Sequence, residues 1–246
     1  MLIADPTTLL VMGVVFVATV VRSAFGFGEA LVAVPLLAFL IPVPVAVPLA
    51  TLLSITVAGL ILAQDWRHVH ARSAWWLVLP TLPGIPLGLL LLTAVPAPLV
   101  KAVLAVVIVA FSGYCLLGRV KPRLANDRLA WAFGLGAGVL GGAYGMNGPP
   151  LVVYGALRGW SPEHFRATLQ GYFLPASAAG LCGFWAAGLW VPEVTRYYLV
   201  SLVPAVVAVV IGRAVNRRMA AEAFVRYVHL GLIAIGVLLL VQSVRS

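Results

Sequence analysis

Acidic side chains are scarce in this sequence: seven Asp and Glu stand against sixteen Lys and Arg in 246 residues, and charged residues of both signs make up 9% of the chain. A soluble domain carries about 25% charged and roughly 45–50% apolar residues. Here 63% of residues are apolar and mean hydropathy is +1.08. The chain has too few polar groups to cover a surface in water, which excludes a soluble enzyme and predicts an all-α polytopic membrane protein. At about 20 apolar residues per spanning helix, its length admits at most about ten crossings and no sizeable extramembrane domain. In a soluble chain the excess of bases would suggest nucleic acid. In a membrane it reads more simply as basic loops facing a cytoplasm, so no nucleic-acid partner is expected.

Thiols are equally sparse. Cys115 and Cys182 lie in separate apolar stretches with no metal-ligand spacing, and they are expected to pack between helices. His68 and His70 share a basic loop with Asp65, but without a third ligand they read as solvated loop residues rather than a metal site. There is no phosphate-binding glycine loop, no nucleophile with a histidine and an acid, and no paired catalytic carboxylates. No catalytic residue, metal or cofactor is therefore expected. Met1 to Pro6 carries an acid and no base, unlike the basic start of a signal peptide, so the first apolar segment is expected to be kept. Trp66, Trp75 and Trp76, and Trp190 with Tyr197 and Tyr198, read as interfacial belts. Arg213 to Arg226 reads as a cytoplasmic loop against anionic lipid.

What the sequence has in abundance is apolar runs. They cover Pro6–Ser23, Gly28–Ile41, Val45–Ala63, Ala74–Val95 and Leu99–Leu117, and then, beyond a polar stretch from Gly118 to Arg128, Leu129–Tyr144, Pro149–Leu157, Ala167–Leu189, Tyr197–Gly212 and Phe224–Val241. The second set echoes the first. With one gap, AFGFGEALVAV from Ala24 matches AYGMNGPPLVV from Ala143, which pairs Ala24 with Ala143, Gly26 with Gly145 and Gly28 with Gly148. Ala50-Thr51-Leu52 matches Ala167-Thr168-Leu169, and Pro80 with Gly88 matches Pro204 with Gly212 at the same spacing. Three matches in one order predict two homologous halves, residues 1–122 and 123–246.

The distribution of bases orients those halves. If each Gly-interrupted stretch crossed once, the two faces would carry eight and seven loop bases. If each is a hairpin that enters and leaves on one side, the count becomes twelve against three, a strong positive-inside bias. Each half then makes an odd number of crossings. The expected fold is two inverted-topology repeats, each a Gly-interrupted helical hairpin followed by three transmembrane helices, with both termini outside the cytoplasm. Secondary transporters use this plan, with broken helices at mid-depth. Whether the hairpin arms span fully or re-enter is left open, because the parity argument holds for both.

The hairpin tips, Gly26-Phe27-Gly28 and Gly145 to Pro150, are suited to a sharp turn and a new helix start, with Pro149 and Pro150 fitting a first helical turn. Each second arm then points a partly positive N-terminus toward the protein's middle, which favours an anion. Gly and Pro also serve close helix packing, the competing reading. Arg22 and Glu29 are the ionisable residues at hairpin depth, where charge is costly enough to mark function. Arg22 either binds an anion or neutralises Glu29 across the turn; Glu29, if protonated or paired, is a candidate for proton coupling. Of the polar residues on adjacent helices, Thr51, Ser54, Thr168 and Gln170, the last has the best claim, since a buried amide needs several partners. Asn147, on a tip, is the strongest polar candidate. The expected substrate-binding set is Arg22, Gly26, Gly28, Thr51, Asn147, Gly148 and Gln170.

These residues resemble the sulfite exporter TauE/SafE family. The likeness is carried by GFGEALVAVPLLAFL from Gly26, VPLATLLSI from Val47, PTLPGIPLG from Pro80 and GGAYGMNGPPLVVYGAL from Gly141, and it extends over essentially the whole chain. It implies export of small sulfur-containing anions, sulfite or organosulfonates, across the bacterial inner membrane, with the two glycine hairpins lining the anion site. Glu29-Ala30 departs from the further glycines or small polar residues that family members often carry there. The alternative keeps the fold and makes the protein a permease or channel for another small anion, or for a cation bound by Glu29 and hairpin carbonyls. Partners are thus a small sulfur-containing anion and the lipid bilayer, and small-residue helix faces are compatible with a homodimer. A dianion leaving a cytoplasm at about −100 mV gains roughly 4.6 kcal/mol, so export needs no coupling ion.

Overall fold

The computed structural model describes residues 5–65, 71–117, 124, 129–160, 162–218 and 221–245. Its described residues form ten helices and no strands: α1 Pro6–Phe25, α2 Glu29–Leu37, α3 Val43–Asp65, α4 Ala71–Ala94, α5 Ala97–Leu117, α6 Ala130–Tyr144, α7 Gly148–Arg158, α8 Pro162–Ala186, α9 Pro192–Arg218 and α10 Ala221–Arg245. Each apolar run expected from the sequence overlaps one of them. In hydrocarbon each backbone polar group must be satisfied within the chain, and a helix does so segment by segment. Five are long and apolar enough to cross a membrane: Pro6–Ala24, Val43–Leu60, Ala74–Ala94, Ala97–Leu117 and Pro192–Val215. The protein is a multi-pass membrane protein.

The two interrupted stretches are helical hairpins turned by left-handed glycines. Asp5 caps α1, accepting from the Thr7 amide at 3.4 Å, and Gly26 at φ 84° ends it, its amide donating to the Arg22 carbonyl at 2.6 Å. Gly28, at φ 98°, starts α2. Gly145, at φ 63°, ends α6 and donates to the Gly141 carbonyl at 2.8 Å. The return arms are short. Nine residues in α2 and eleven in α7 rise about 14 and 17 Å, roughly half of a 30 Å hydrocarbon core. On the question left open by the sequence, α1 is long enough to span and α2 and α7 are not.

The first arm of each hairpin packs most on a helix distant in sequence, and α2 also packs on α3. The first arm α1 packs most extensively on α9, and α6 on α4; α3 and α8 meet each other, as do α5 and α10. Glycine makes these approaches possible. A Cβ at Gly88 on α4 would strike the Val139 carbonyl and the Ala143 amide of α6, and one at Gly212 on α9 would strike the Val20 carbonyl and the Ala24 amide of α1. These two contacts correspond residue for residue under the sequence matches Gly88/Gly212 and Ala24/Ala143.

Polarity runs opposite to that of a soluble protein. Leu90, Val203, Val210 and Leu238 are exposed, whereas Thr19, Arg22, Glu29, Thr51, Ser54, Thr81, Asn147, Thr168 and Ser201 are buried. Exposed apolar side chains face hydrocarbon at no cost, and polar groups collect where they find partners. Trp75, Trp76 and Trp190 are exposed as belt residues require, but Tyr197 is buried, and the Tyr198 hydroxyl lies 2.7 Å from that of Thr56 on α3. Those two tyrosines join helices instead. Cys115 is half-buried in the packing, and Cys182 is exposed rather than packed between helices. Trp66, His68 and His70 lie outside the described residues.

Candidate functional site

The α1–α2 tip and the α6–α7 tip meet around one cavity of about 20 Å³. Arg22 and Ser54 line it from α1 and α3, Phe27 to Leu31 from the first tip, Gly145 to Pro149 from the second, and Phe173 with Ser177 from α8. Polar and glycine-rich tips, held by the αL turns described above, thereby face one another across it.

Arg22 and Glu29 lie seven residues apart across the tip and form a buried ion pair, Nη1 to Oε2 at 2.8 Å. Thr19, one turn before Arg22, donates its hydroxyl to Glu29 Oε1 at 3.0 Å, and Arg22 Nη1 also donates to the Ser54 hydroxyl at 2.6 Å. The guanidinium carbon sits 5.1 Å from the centre of the Phe173 ring, a cation–π contact that fixes the plane of the group. All of this engages Nη1 and one face. Nε and Nη2, the two nitrogens of the remaining edge, are buried and have no hydrogen-bond partner. A buried donor without a partner is costly, and an Nε/Nη2 edge is the fork that matches two oxygens of one oxyanion.

The helix starts add to this. The first bond within α2 runs from the Val32 amide to the Gly28 carbonyl at 3.1 Å, so the amides of Glu29, Ala30 and Leu31 precede the ladder. No side chain caps α2 or α7. In α7, Pro149 and Pro150 occupy the first turn and remove two donors that would otherwise need partners. Asn147 is held from behind: its Nδ2 donates to the Tyr172 hydroxyl at 3.5 Å, and that hydroxyl lies 2.7 Å from Thr81, which in turn reaches the carbonyls of Leu77 at 2.8 Å and Gly134 at 2.9 Å. With Thr81 donating to a carbonyl, the chain runs in one direction from Asn147 to α4 and α6.

Of the residues selected from sequence, the structure brings Arg22, Gly28, Glu29, Asn147 and Gly148 together at the cavity. Of the two sequence readings of Arg22 and Glu29, the pairing is present, and it leaves one edge of Arg22 unused. Gly26 forms the turn without lining the cavity. Thr51 donates to the Val47 carbonyl at 3.0 Å and lies against Gly145, supporting the second tip. Gln170 is on α8, with its side chain outside the described residues. Sequence reading noted Ser54 without placing it at the site, and missed Thr19, Phe173 and Ser177. Their only signal was spacing: Thr19 and Arg22, Thr51 and Ser54, and Phe173 and Ser177 each share a helix face at three or four residues.

No curated protein and no solved structure matches the chain. The family model described as sulfite exporter TauE/SafE matches residues 11–239, a span that takes in both hairpin tips, the cavity between them, all of α2 to α9 and most of α1 and α10, and the chain belongs to that family of membrane transporters.

Proposed function

We propose that this protein is a secondary transporter that exports a small sulfur-containing anion, sulfite or an organosulfonate, across the bacterial inner membrane through the cavity between the two hairpin tips. The observation that carries this reading is the unpartnered Nε/Nη2 edge of buried Arg22, set between two uncapped helix N-termini. A sulfonate or sulfite presents the pair of oxygens that edge requires. Arg22, Asn147 and the helix starts at Gly28 and Gly148 form the ligand set. Gln170, on α8, is the remaining candidate of the set. Thr51 and Gly26 shape the tips.

The halves are two inverted repeats with both termini outside the cytoplasm. The reciprocal packing of α1 on α9 and α6 on α4, with matched glycines at matched residues, supports the duplication, and the twelve-to-three distribution of bases supports the orientation. A cavity of about 20 Å³ has room for about one water, so an anion enters only when the tips part. Alternating access follows from one hairpin moving against the other.

Thermal stabilisation of the detergent-purified protein by sulfite, thiosulfate, sulfoacetate, taurine, sulfate, phosphate, carboxylates and chloride tests this. A saturable shift by a sulfur anion, lost in Arg22→Gln, is the expected result. Stabilisation by cations alone overturns it and transfers the site to Glu29.

A further inference from the structure

We propose that Glu29 is a tethered anion of the site: its carboxylate neutralises Arg22 through Nη1 in the ligand-free protein, and Glu29 accepts one proton when an anion binds the free Nε/Nη2 edge. This rests on the anion-site reading above and adds the coupling ion to it.

The argument is one of charge balance in a buried place. Arg22 and Glu29 are both about 2% exposed, and they are the only titratable side chains that line the cavity among the described residues. Their charges sum to zero. Adding a monoanion would leave one unbalanced negative charge in a buried site, and an uncompensated buried charge is disfavoured strongly enough that the group neutralises instead. Glu29 is the one cavity group able to do so. The other helices packed on α2 offer no substitute. Titratable residues on α5 are Lys101, Tyr114 and Cys115, none at the cavity; His229 on α10 bonds Ser112 at 3.3 Å; and α3 has none from Val43 to Leu60.

The surrounding hydroxyls fit both states. Thr19 donates to the Glu29 carboxylate at 3.0 Å, and the same hydroxyl, rotated, accepts from a neutral carboxyl. Ser54 stays on Arg22 Nη1. The exchange balances without any redox step. Arg22 Nε and Nη2 donate to the anion's oxygens, and a hydronium ion from solvent gives its proton to a Glu29 carboxylate oxygen, forming an O–H bond and releasing water, so that the charge lost at Glu29 offsets the charge brought by the anion. One anion and one proton then cross together.

Titration calorimetry of the purified wild-type protein with methanesulfonate, which keeps a single charge throughout, run in two buffers of different ionisation heat, tests this without a mutation. Uptake of about one proton per anion is expected, and affinity should fall about tenfold per unit of rising pH where Glu29 starts ionised. Sulfite, with its own ionisation subtracted, is the second probe. In Glu29→Gln, methanesulfonate should bind at least about tenfold tighter at about pH 8 and lose its pH dependence. Anion binding without proton uptake, or an unchanged pH slope in Glu29→Gln, overturns the coupling and leaves the anion site standing. If neither probe binds either protein, the anion site itself is overturned and this proposal with it.

Discussion

The carboxamide of Asn147 lies against Gly141, so close that a methyl group at residue 141 would collide with Oδ1. Counting back from the matched pair Ala24 and Ala143, position 141 corresponds to Arg22. Under that match the two hairpins carry different side chains at one position. The first carries a long cation whose guanidinium reaches the cavity, and the second has no side chain there, so that the tip residue folds back and is held by Tyr172 at 3.5 Å.

Gly141→Ala should displace Asn147 while leaving the helix intact. Overpacking of this kind costs about 1–3 kcal/mol, and Asn147→Ala should be cheaper, since Tyr172 keeps Thr81 at 2.7 Å. Both variants should reduce sulfonate flux into proteoliposomes. Wild-type flux in Asn147→Ala would remove that residue from the ligand set.

Arg22→Lys retains the charge and the possibility of an ion pair with Glu29, and it abolishes the Nε/Nη2 edge. A hydrogen bond to a charged group is worth about 1.5–3 kcal/mol, so sulfonate affinity should drop by about 10- to 100-fold with little change in thermal stability. Titration of the purified variant measures this. Equal affinity in Lys and Arg proteins would mean that charge alone, without the fork, recognises the anion.

Gly88→Ala and Gly212→Ala should both destabilise the protein by about 1–3 kcal/mol, because each places a methyl group against backbone of a facing helix. Gly113→Ala has open space around its Cβ and should be neutral or slightly stabilising, as Ala is the better helix former. Thermal unfolding in detergent compares the three. Loss in one hairpin contact but not the other would argue that the two packings differ in weight.

One proton per anion sets the charge moved. Methanesulfonate with a proton is electroneutral, so a potassium diffusion potential of about 100 mV should leave its steady-state distribution unchanged. A sulfite dianion with a proton moves one charge, worth about 2.3 kcal/mol, and its distribution should shift by roughly 50-fold. Export down the potential remains favourable for the dianion. A 50-fold shift for methanesulfonate would indicate transport of the bare anion.

Local chemistry was enough to read the ten helices, since a run of apolar residues in hydrocarbon has no other way to satisfy its backbone. It was also enough for the turns: Gly26, Gly28 and Gly145 stand where the chain adopts positive φ, a conformation that side chains resist. Arg22 and Glu29 could be suspected because they are close in sequence and flank one turn. The length of the return arms was less legible. The apolar run from Gly28 continues to Ile41, but α2 ends at Leu37, and residues 38–40 turn before Pro42. Apolar composition marks what is buried in lipid or protein, not where a helix ends inside it.

The site required contacts between distant segments. Ser54 reaches Arg22 across 32 residues, Tyr172 reaches Thr81 across 91, and Phe173 stacks on Arg22 from the other half of the chain. A serine or phenylalanine in a membrane helix carries no mark of its partner, because lipid-facing and packed faces are equally apolar and only small residues hint at close approach. Which edge of Arg22 is engaged and which is unpartnered depends on those neighbours alone. Composition and glycine placement thus specified a helical membrane protein with two tips. The packing of α1 on α9 and α6 on α4, by bringing the tips face to face, decided that they share one cavity and which buried polar atoms within it have no partner.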